Sequence, residues 1–408
     1  MAANAEDSDH SVCVKCGSTS TLHCSACEYD EERGCQAKTR YCSKSCQAAD
    51  WVEHKTKCLR IRRVNNLYRS VKSVQSVFYG FRKAFFDIAI KNITITPEKI
   101  VIREGAYGSN ITLPFPDELI PDPRDQEAVL AHFACDDAVG WMHHFLEKLL
   151  EGTYQSIREL KIDFKNCTRR IEMPDRGSPP EVMVHGFPQP PQLKNPHVVL
   201  KVTVRGGPVY AVDIAGAQFG VHDPVLGWDT YADCYIQSVA FQENFGHKRG
   251  KLRGPRDKIQ LLTSDPVSDA ILGNQRMVVD DMEIRFDTWL SKHNYSVAKM
   301  LKMRKEDQMK ALKDMADTLI GGMQNFAEKA STAKDFVVAV EQRSGRQAYP
   351  GSHVTYVFGN GGRRSLDELR KEGRKGQWQK IPLKDKEFEG FEVLRNPNDG
   401  VIVLNVDF

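Results

Sequence analysis

Between positions 13 and 58, seven cysteines and one histidine fall into four close pairs: Cys13-x2-Cys16, Cys24-x2-Cys27, Cys42-x3-Cys46 and His54-x3-Cys58. No other feature constrains the folding of this chain as strongly. Two or three intervening residues let both side chains of a pair reach one ion from a knuckle turn or a single helical turn, and four pairs complete two tetrahedral sites. So short a segment buries too little apolar surface to fold alone, so metal–ligand bonds substitute for a core. Structural zinc supplies on the order of 10 kcal/mol at neutral pH. With every position on both ions filled by protein, no position remains for a catalytic water. The expected cofactors are therefore two structural zinc ions.

Of the eleven cysteines only Cys135, Cys167 and Cys234 follow Cys58. A secreted disulfide framework is the weaker reading of such clustering, because the polar, acidic opening MAANAEDSDH lacks the apolar stretch of a signal peptide. The longest apolar run, HVVLKVTV, is interrupted by lysine and falls short of a membrane span. A formal net charge of +3 is too small to imply nucleic-acid binding. Seven thiolates on two dications would bring it near zero. The expectation is a soluble protein of the cytoplasm or nucleus.

The string YCSKSCQAADWVEHKTKC, Tyr41 to Cys58, resembles the second half of MYND zinc fingers, including Gln47, Trp51 and His54-Lys55. That resemblance implies cross-bracing, with Cys13, Cys16, Cys42 and Cys46 on one ion and Cys24, Cys27, His54 and Cys58 on the other. The insert EYDEERGCQAKTR departs from the pattern and carries Cys35. Cys35 has no partner at pair spacing and is read as a non-ligand, with exchange for Cys24 or Cys27 as the alternative. The resemblance further implies a protein-interaction module that binds short, often proline-containing peptides in transcriptional or signalling assemblies. Gln47 and Trp51 match groove-lining positions. The competing assignments are packing under the finger for Trp51 and helix capping for Gln47.

Beyond the finger, Val64, Val71, Phe78 and Phe85 recur every seven residues, and Leu67, Val74, Phe81 and Ile88 form a second series offset by three. Both fall on one stripe of a helix over about 61–90, with Arg62, Arg63, Arg69, Lys72, Arg82 and Lys83 mostly off it. The stripe is read as core-facing, with a coiled-coil dimer or an acidic partner as the alternative. Short strands (KIVIREG, NITLPF) precede a helical stretch from Arg124 to Ile157, and 173–196 reads as an exposed proline-rich loop. HVVLKVTV, alternating as a half-buried strand, and VYAVDIAGAQFGV form a hairpin around Arg205-Gly206-Gly207-Pro208. The stretch 297–336 is helical, with Met309, Leu312, Ala316, Leu319 and Met323 on one face and Gly321-Gly322 expected to break or bend it. FEGFEVL and VIVLNV close the chain as a second hairpin around RNPNDG. The fold class is thus a small cross-braced zinc finger over 13–58, after a disordered leader over 1–12. A long helix and one α+β domain with antiparallel β-hairpins follow over 59–408.

A SET-type methyltransferase is excluded as a reading, because His293-Asn294-Tyr295-Ser296 does not match its catalytic string and no cysteine follows Cys234. Gly359-Asn360-Gly361-Gly362 reads as a turn and not a phosphate loop, since no Lys-Ser/Thr follows. The run HVVLKVTVRGGPVYAVDIAGAQFG resembles the His-to-acid half of papain-like and transglutaminase-like thiol enzymes, with His197 opening a strand and the return ending in Asp213 and Gln218. That resemblance implies a nucleophilic cysteine at the head of a helix. Cys135 is the candidate, yet the apolar periodicity of Ala131 and Val139 sets it inside a helix, and Asp136 and Asp137 would oppose a thiolate. The leading expectation is therefore a non-enzymatic adaptor. A thiol hydrolase or acyltransferase using Cys135, His197 and Asp213 is the alternative.

Overall fold

The computed structural model describes residues 12–25, 39–105, 113–174, 193–254 and 266–332, together with strands 354–358, 379–381, 391–395 and 402–406. Residues 1–11 of the leader, Cys27, Cys35, the Gly359–Gly362 turn, residues 396–400 of the RNPNDG turn and most of the proline-rich loop lie outside these residues.

A short antiparallel pair, β1 (Leu22–His23) and β2 (Arg40–Tyr41), leads into helix α1 (Lys44–Ala84). Ser43, in extended backbone, caps α1 by accepting from the Cys46 N–H at 3.2 Å. The helix therefore starts within the finger, well before the 61 set by its apolar stripe, and ends at Ala84. All eight residues of the two series are buried, including Phe85 and Ile88 just beyond the helix end. They are covered by this chain's own core, so no partner helix is required. Arg82, expected off the stripe, is buried as well. Its guanidinium donates to the Leu130 carbonyl at 3.0 Å and pairs with Asp87 at 2.8 Å, which satisfies the charge internally.

Next come the hairpin β3 (Ile90–Ile95) and β4 (Lys99–Glu104), then α2 (Pro123–Ala131), α3 (Cys135–Trp141) and α4 (His143–Leu150). The single helix expected from Arg124 to Ile157 is thus three short ones, and β5 (Tyr154–Phe164) begins before Ile157. Asp122 caps α2, accepting from the Arg124 N–H at 2.7 Å, with Pro123 at the first helical position. The break before α3 is Phe133, held at φ 56°, in the left-handed region.

β6 (Arg170–Glu172) pairs parallel with β4. Then β7 (Pro196–Val204), β8 (Val209–Val212), β9 (Val225–Gly227), α5 (Trp228–Tyr235) and β10 (Ile236–Asn244) build a five-stranded sheet of order β10-β5-β7-β8-β9. The β7–β8 hairpin forms with Thr203 opposite Val209, and Gly206 supplies the positive φ its turn needs. β7 is central, so it is covered on both faces through Leu200, where alternation predicts a half-buried strand. Val198, Leu200, Val202 and Val204 join the main core, and Val199 joins a second cluster with Leu160, Ile162 and Phe164.

Helices α6 (His247–Arg253), α7 (Pro266–Lys292), α8 (Val297–Met300) and α9 (Lys305–Thr332) complete the helical layer. α9 packs on α1 through Leu312, Ala316, Leu319 and Met323, whereas Met309 is exposed and Met315 takes the buried position. α9 runs unbroken through Gly321-Gly322. A Cβ at Gly322 would meet Arg285 of α7 at 2.7 Å, so close helix packing uses the glycine and outweighs its low propensity. Strands β11 (Val354–Phe358), β12 (Gln379–Ile381), β13 (Phe391–Arg395) and β14 (Ile402–Val406) form an antiparallel sheet in which β13 and β14 pair as expected. Among the described residues no helix is long and apolar enough to cross a membrane.

Candidate functional site

Two constellations emerge, one in the finger and one at the end of the central strand of the five-stranded sheet. In the finger, the β1–β2 pair and the start of α1 gather Cys13, Cys16, Cys42 and Cys46 into one group and Cys24, His54 and Cys58 into another. The ligand atoms within each group lie within 4.8 Å of one another. Cys42/Cys46 and His54/Cys58 are spaced one turn apart on or beside α1, so helix formation itself aims each pair at one point. Tetrahedral zinc with Zn–S bonds of about 2.3 Å places sulfurs about 3.8 Å apart. The Cys16–Cys42, Cys42–Cys46 and Cys16–Cys46 separations are 3.4, 3.5 and 3.8 Å, and Cys24–Cys58 is 3.9 Å. The donor sets fit zinc. Tyr41, fully buried, donates to Asp50 at 2.8 Å and ties β2 to α1 beneath the sites. On the outer surface Gln47 is half-buried and Trp51, one turn further, is 45% exposed with its ring tilted against His54.

In the sheet, three residues far apart in sequence converge. Cys135 opens α3, is half-buried, and lies close enough to act electrostatically on the His197 imidazole. His197, at the start of β7, is 0% exposed, and its Nε2 lies 2.8 Å from Asp213 Oδ1. The second oxygen of Asp213 accepts from the Tyr231 hydroxyl at 2.6 Å. Gly216 leaves room for that carboxylate, since a Cβ there would lie 2.6 Å from Oδ2. Phe164 and Phe219 stack on each other at 4.3 Å and both meet the imidazole edge-on, fixing its plane. Gln218 Nε2 lies 3.4 Å from His197 Nδ1 and donates to the Ala215 carbonyl at 3.2 Å.

The electrostatics follow from burial and pairing. Burial works against a charged His197, but the Asp213 charge and hydrogen bond, with a smaller contribution from Cys135, outweigh it and raise its pKa to about 10. Burial, reinforced by the Asp213 charge, pushes the Tyr231 phenol well above its usual range, so it remains a donor. The two acids beside Cys135 are both matched. Asp136 pairs with Lys248, and Asp137 faces Arg82 at 3.9 Å. Burial raises Asp137 to about 6.

Cys135 thus heads a helix, contrary to the periodicity-based reading. Apolar periodicity continues across Phe133, whose backbone conformation has no signature in its residue type. Tyr231 has little signature in the sequence, since it lies one turn into a short helix and is marked only by its helical neighbours Trp228 and Tyr235.

Residues 13–58 match the MYND finger family and form a MYND finger, a zinc-binding protein-interaction module. No curated protein and no solved structure matches the chain.

Proposed function

We propose that this chain is a thiol enzyme whose MYND finger recruits the protein partner. One observation carries the catalytic half: Asp213 holds His197 by Nε2 at 2.8 Å, and Cys135, at the head of α3, acts on the same imidazole, which leaves Nδ1 to serve the thiol. That is the arrangement needed for the thiol to pass its proton to Nδ1 while Asp213 stabilises the resulting imidazolium. Thiolate attack then forms a covalent intermediate, and the same imidazolium returns a proton to the leaving group. The zinc ions stay structural, two per chain, with Cys27 completing the second set. The recruiting surface is built on Gln47 and Trp51, the occupant a short proline-containing peptide of a signalling or transcriptional protein in the cytoplasm or nucleus. The finger over 13–58 acts as recruiter, and the α+β region over 59–408 holds the thiol site.

A second reading, a binding-only adaptor, draws support from the complete burial of His197. Alkylation of the zinc-loaded protein with iodoacetamide near pH 6 separates the two, with exposed Cys234 as an internal reference. The enzyme reading expects Cys135 to be modified much faster than Cys234, and this advantage to vanish in His197→Ala and weaken in Asp213→Asn. Slow labelling of Cys135, indifferent to His197→Ala, leaves the adaptor.

A further inference from the structure

Helix α9 lies along one face of α1, but only from Asn66 onward. Gln308 bonds Asn66 at 2.7 Å and Arg69 at 3.0 Å, and Ser73 donates to the Leu312 carbonyl at 3.0 Å. Further on, a Cβ at Gly80 would meet the Ile320 side chain at 2.7 Å. The contacts advance together along both helices, so α9 runs parallel to α1 and starts, at Lys305, beside Asn66 and the turn before it. Positions 66, 69, 73 and 80 of α1 are spaced as a helix–helix seam is spaced. The same spacing continued toward the finger gives Arg62, Leu59, Lys55, Val52 and Ala48. Here the seam is open: Val52 is 85% and Leu59 37% exposed, Ala48 and Lys55 are exposed, and Arg62 is half-buried.

The other side of this stretch is committed to the finger, since Asp50, His54, Cys58 and Ile61 are buried. A groove that wraps α1 therefore does not fit, and a flat surface is obstructed by α9, which rises on the same face. An elongated body in line with α9 does fit: one helix of about four turns, because positions 48 to 62 span about 21 Å. Charge narrows the choice further. Positions 44 to 63 hold six lysines and arginines against two carboxylates. Asp50 is buried and accepts from Tyr41, while Glu53 lies away from the seam and pairs with Lys15 at 3.7 Å. Among the described residues no ion pair holds Lys55 or Arg62.

We propose that the face of α1 over 48–62 docks an acidic amphipathic helix of a partner protein, end to end with α9. Apolar side chains of that helix pack between Ala48, Val52 and Leu59, and its flanking carboxylates pair with Lys55 and Arg62. Gln47 lies about 100° round α1 from this line and Trp51 at its margin, so a peptide on Gln47 and Trp51 occupies a neighbouring face. The docking is independent of the thiol site.

The test uses zinc-loaded, full-length protein and two fluorescein-labelled heptad peptides of about 20 residues, long enough to cover the open seam. Both carry leucine at a and d; one is flanked by glutamate and the other by lysine. In fluorescence anisotropy the glutamate peptide is expected to bind wild type, and Val52→Gln and Leu59→Gln to weaken it about tenfold each. Lys55→Glu should weaken the glutamate peptide and admit the lysine peptide. Lys57→Glu, the same charge change on the opposite side of α1, should stay within about twofold of wild type at physiological salt. Equal metal content and matching unfolding midpoints show that the finger is intact in each variant. Failure of the glutamate peptide to bind wild type, or equal losses in Lys55→Glu and Lys57→Glu, would overturn the proposal. So would phosphatidylserine vesicles or duplex DNA whose binding falls in Val52→Gln and Leu59→Gln while that of the peptide does not. A concentration-dependent dimer that these two variants dissociate would likewise overturn it, by assigning the face to a second copy of the chain.

Discussion

His197 is wholly buried, yet its surroundings favour the charged form, and this opposition can be read out by titration. Its folded pKa of about 10 lies above the ordinary histidine value of 6.5. The sign follows: the stabilisation from the Asp213 pairing is present in full below about pH 6.5 and is lost as pH rises through about 10. Unfolding free energies should therefore fall on the alkaline side, and the gap between wild type and His197→Gln should narrow between pH 7 and 10.5. Gly216→Ala probes the other side of the pair. A Cβ there meets Asp213 Oδ2 at 2.6 Å and the Val221 carbonyl at 2.9 Å, the latter being backbone that cannot swing away. Overpacking of this kind costs about 1–3 kcal/mol. Denaturant melts should show that loss, and alkylation at pH 6 should slow with it.

Among the elements, α3 best shows what the sequence could and could not reveal. The metal pairs are legible because their chemistry is local, two ligands within one turn. His197 and Asp213 are legible because strand alternation and the Gly206 turn bring them together through a hairpin. The nucleophile needs a helix start at Cys135, and that start is set by Phe133 at φ 56°, a conformation decided by tertiary packing and written in no local propensity. Phe133 is also 66% exposed, so replacing it by glycine removes backbone strain at little cost in burial. Phe133→Gly should raise unfolding stability by about 1 kcal/mol, while Phe133→Val, β-branched, should lower it. The start of α1 is hidden from periodicity for the opposite reason. Its first turns carry ligands instead of an apolar stripe, so periodicity alone starts the helix too late.

At the scale of the whole molecule, α1 physically joins the finger to the body that carries Cys135. Cys58 and Ile61 belong to the finger's own small cluster, whereas Val64 is the first α1 residue in the main core. The finger's apolar cluster is slight without its metal bonds. From Val64 onward the helix is clamped by α4 and α9, including the buried contacts of Asn66 with the Leu149 carbonyl at 2.9 Å and with Gln308 at 2.7 Å. Chelation should therefore unwind α1 only from its N-terminal end, and hydrogen exchange should show protection lost up to about 61 and kept from 64 to 84. Just past the boundary, Arg63 donates to the Arg205 carbonyl at 2.9 Å, holding the turn of the β7–β8 hairpin on which His197 and Asp213 stand. That contact lies at the far end of the hairpin from His197, and the imidazole is held independently by Phe164, Phe219 and Asp213. Metal removal is thus expected to abolish capture of a partner protein by immobilised full-length chain while leaving Cys135 alkylation at pH 6 within about twofold, a change worth about 0.4 kcal/mol. Measured on one chelated sample, loss of capture with retained alkylation supports two separable functions. Loss of both would mean that the finger holds the catalytic hairpin in place, and that zinc occupancy governs the thiol site directly.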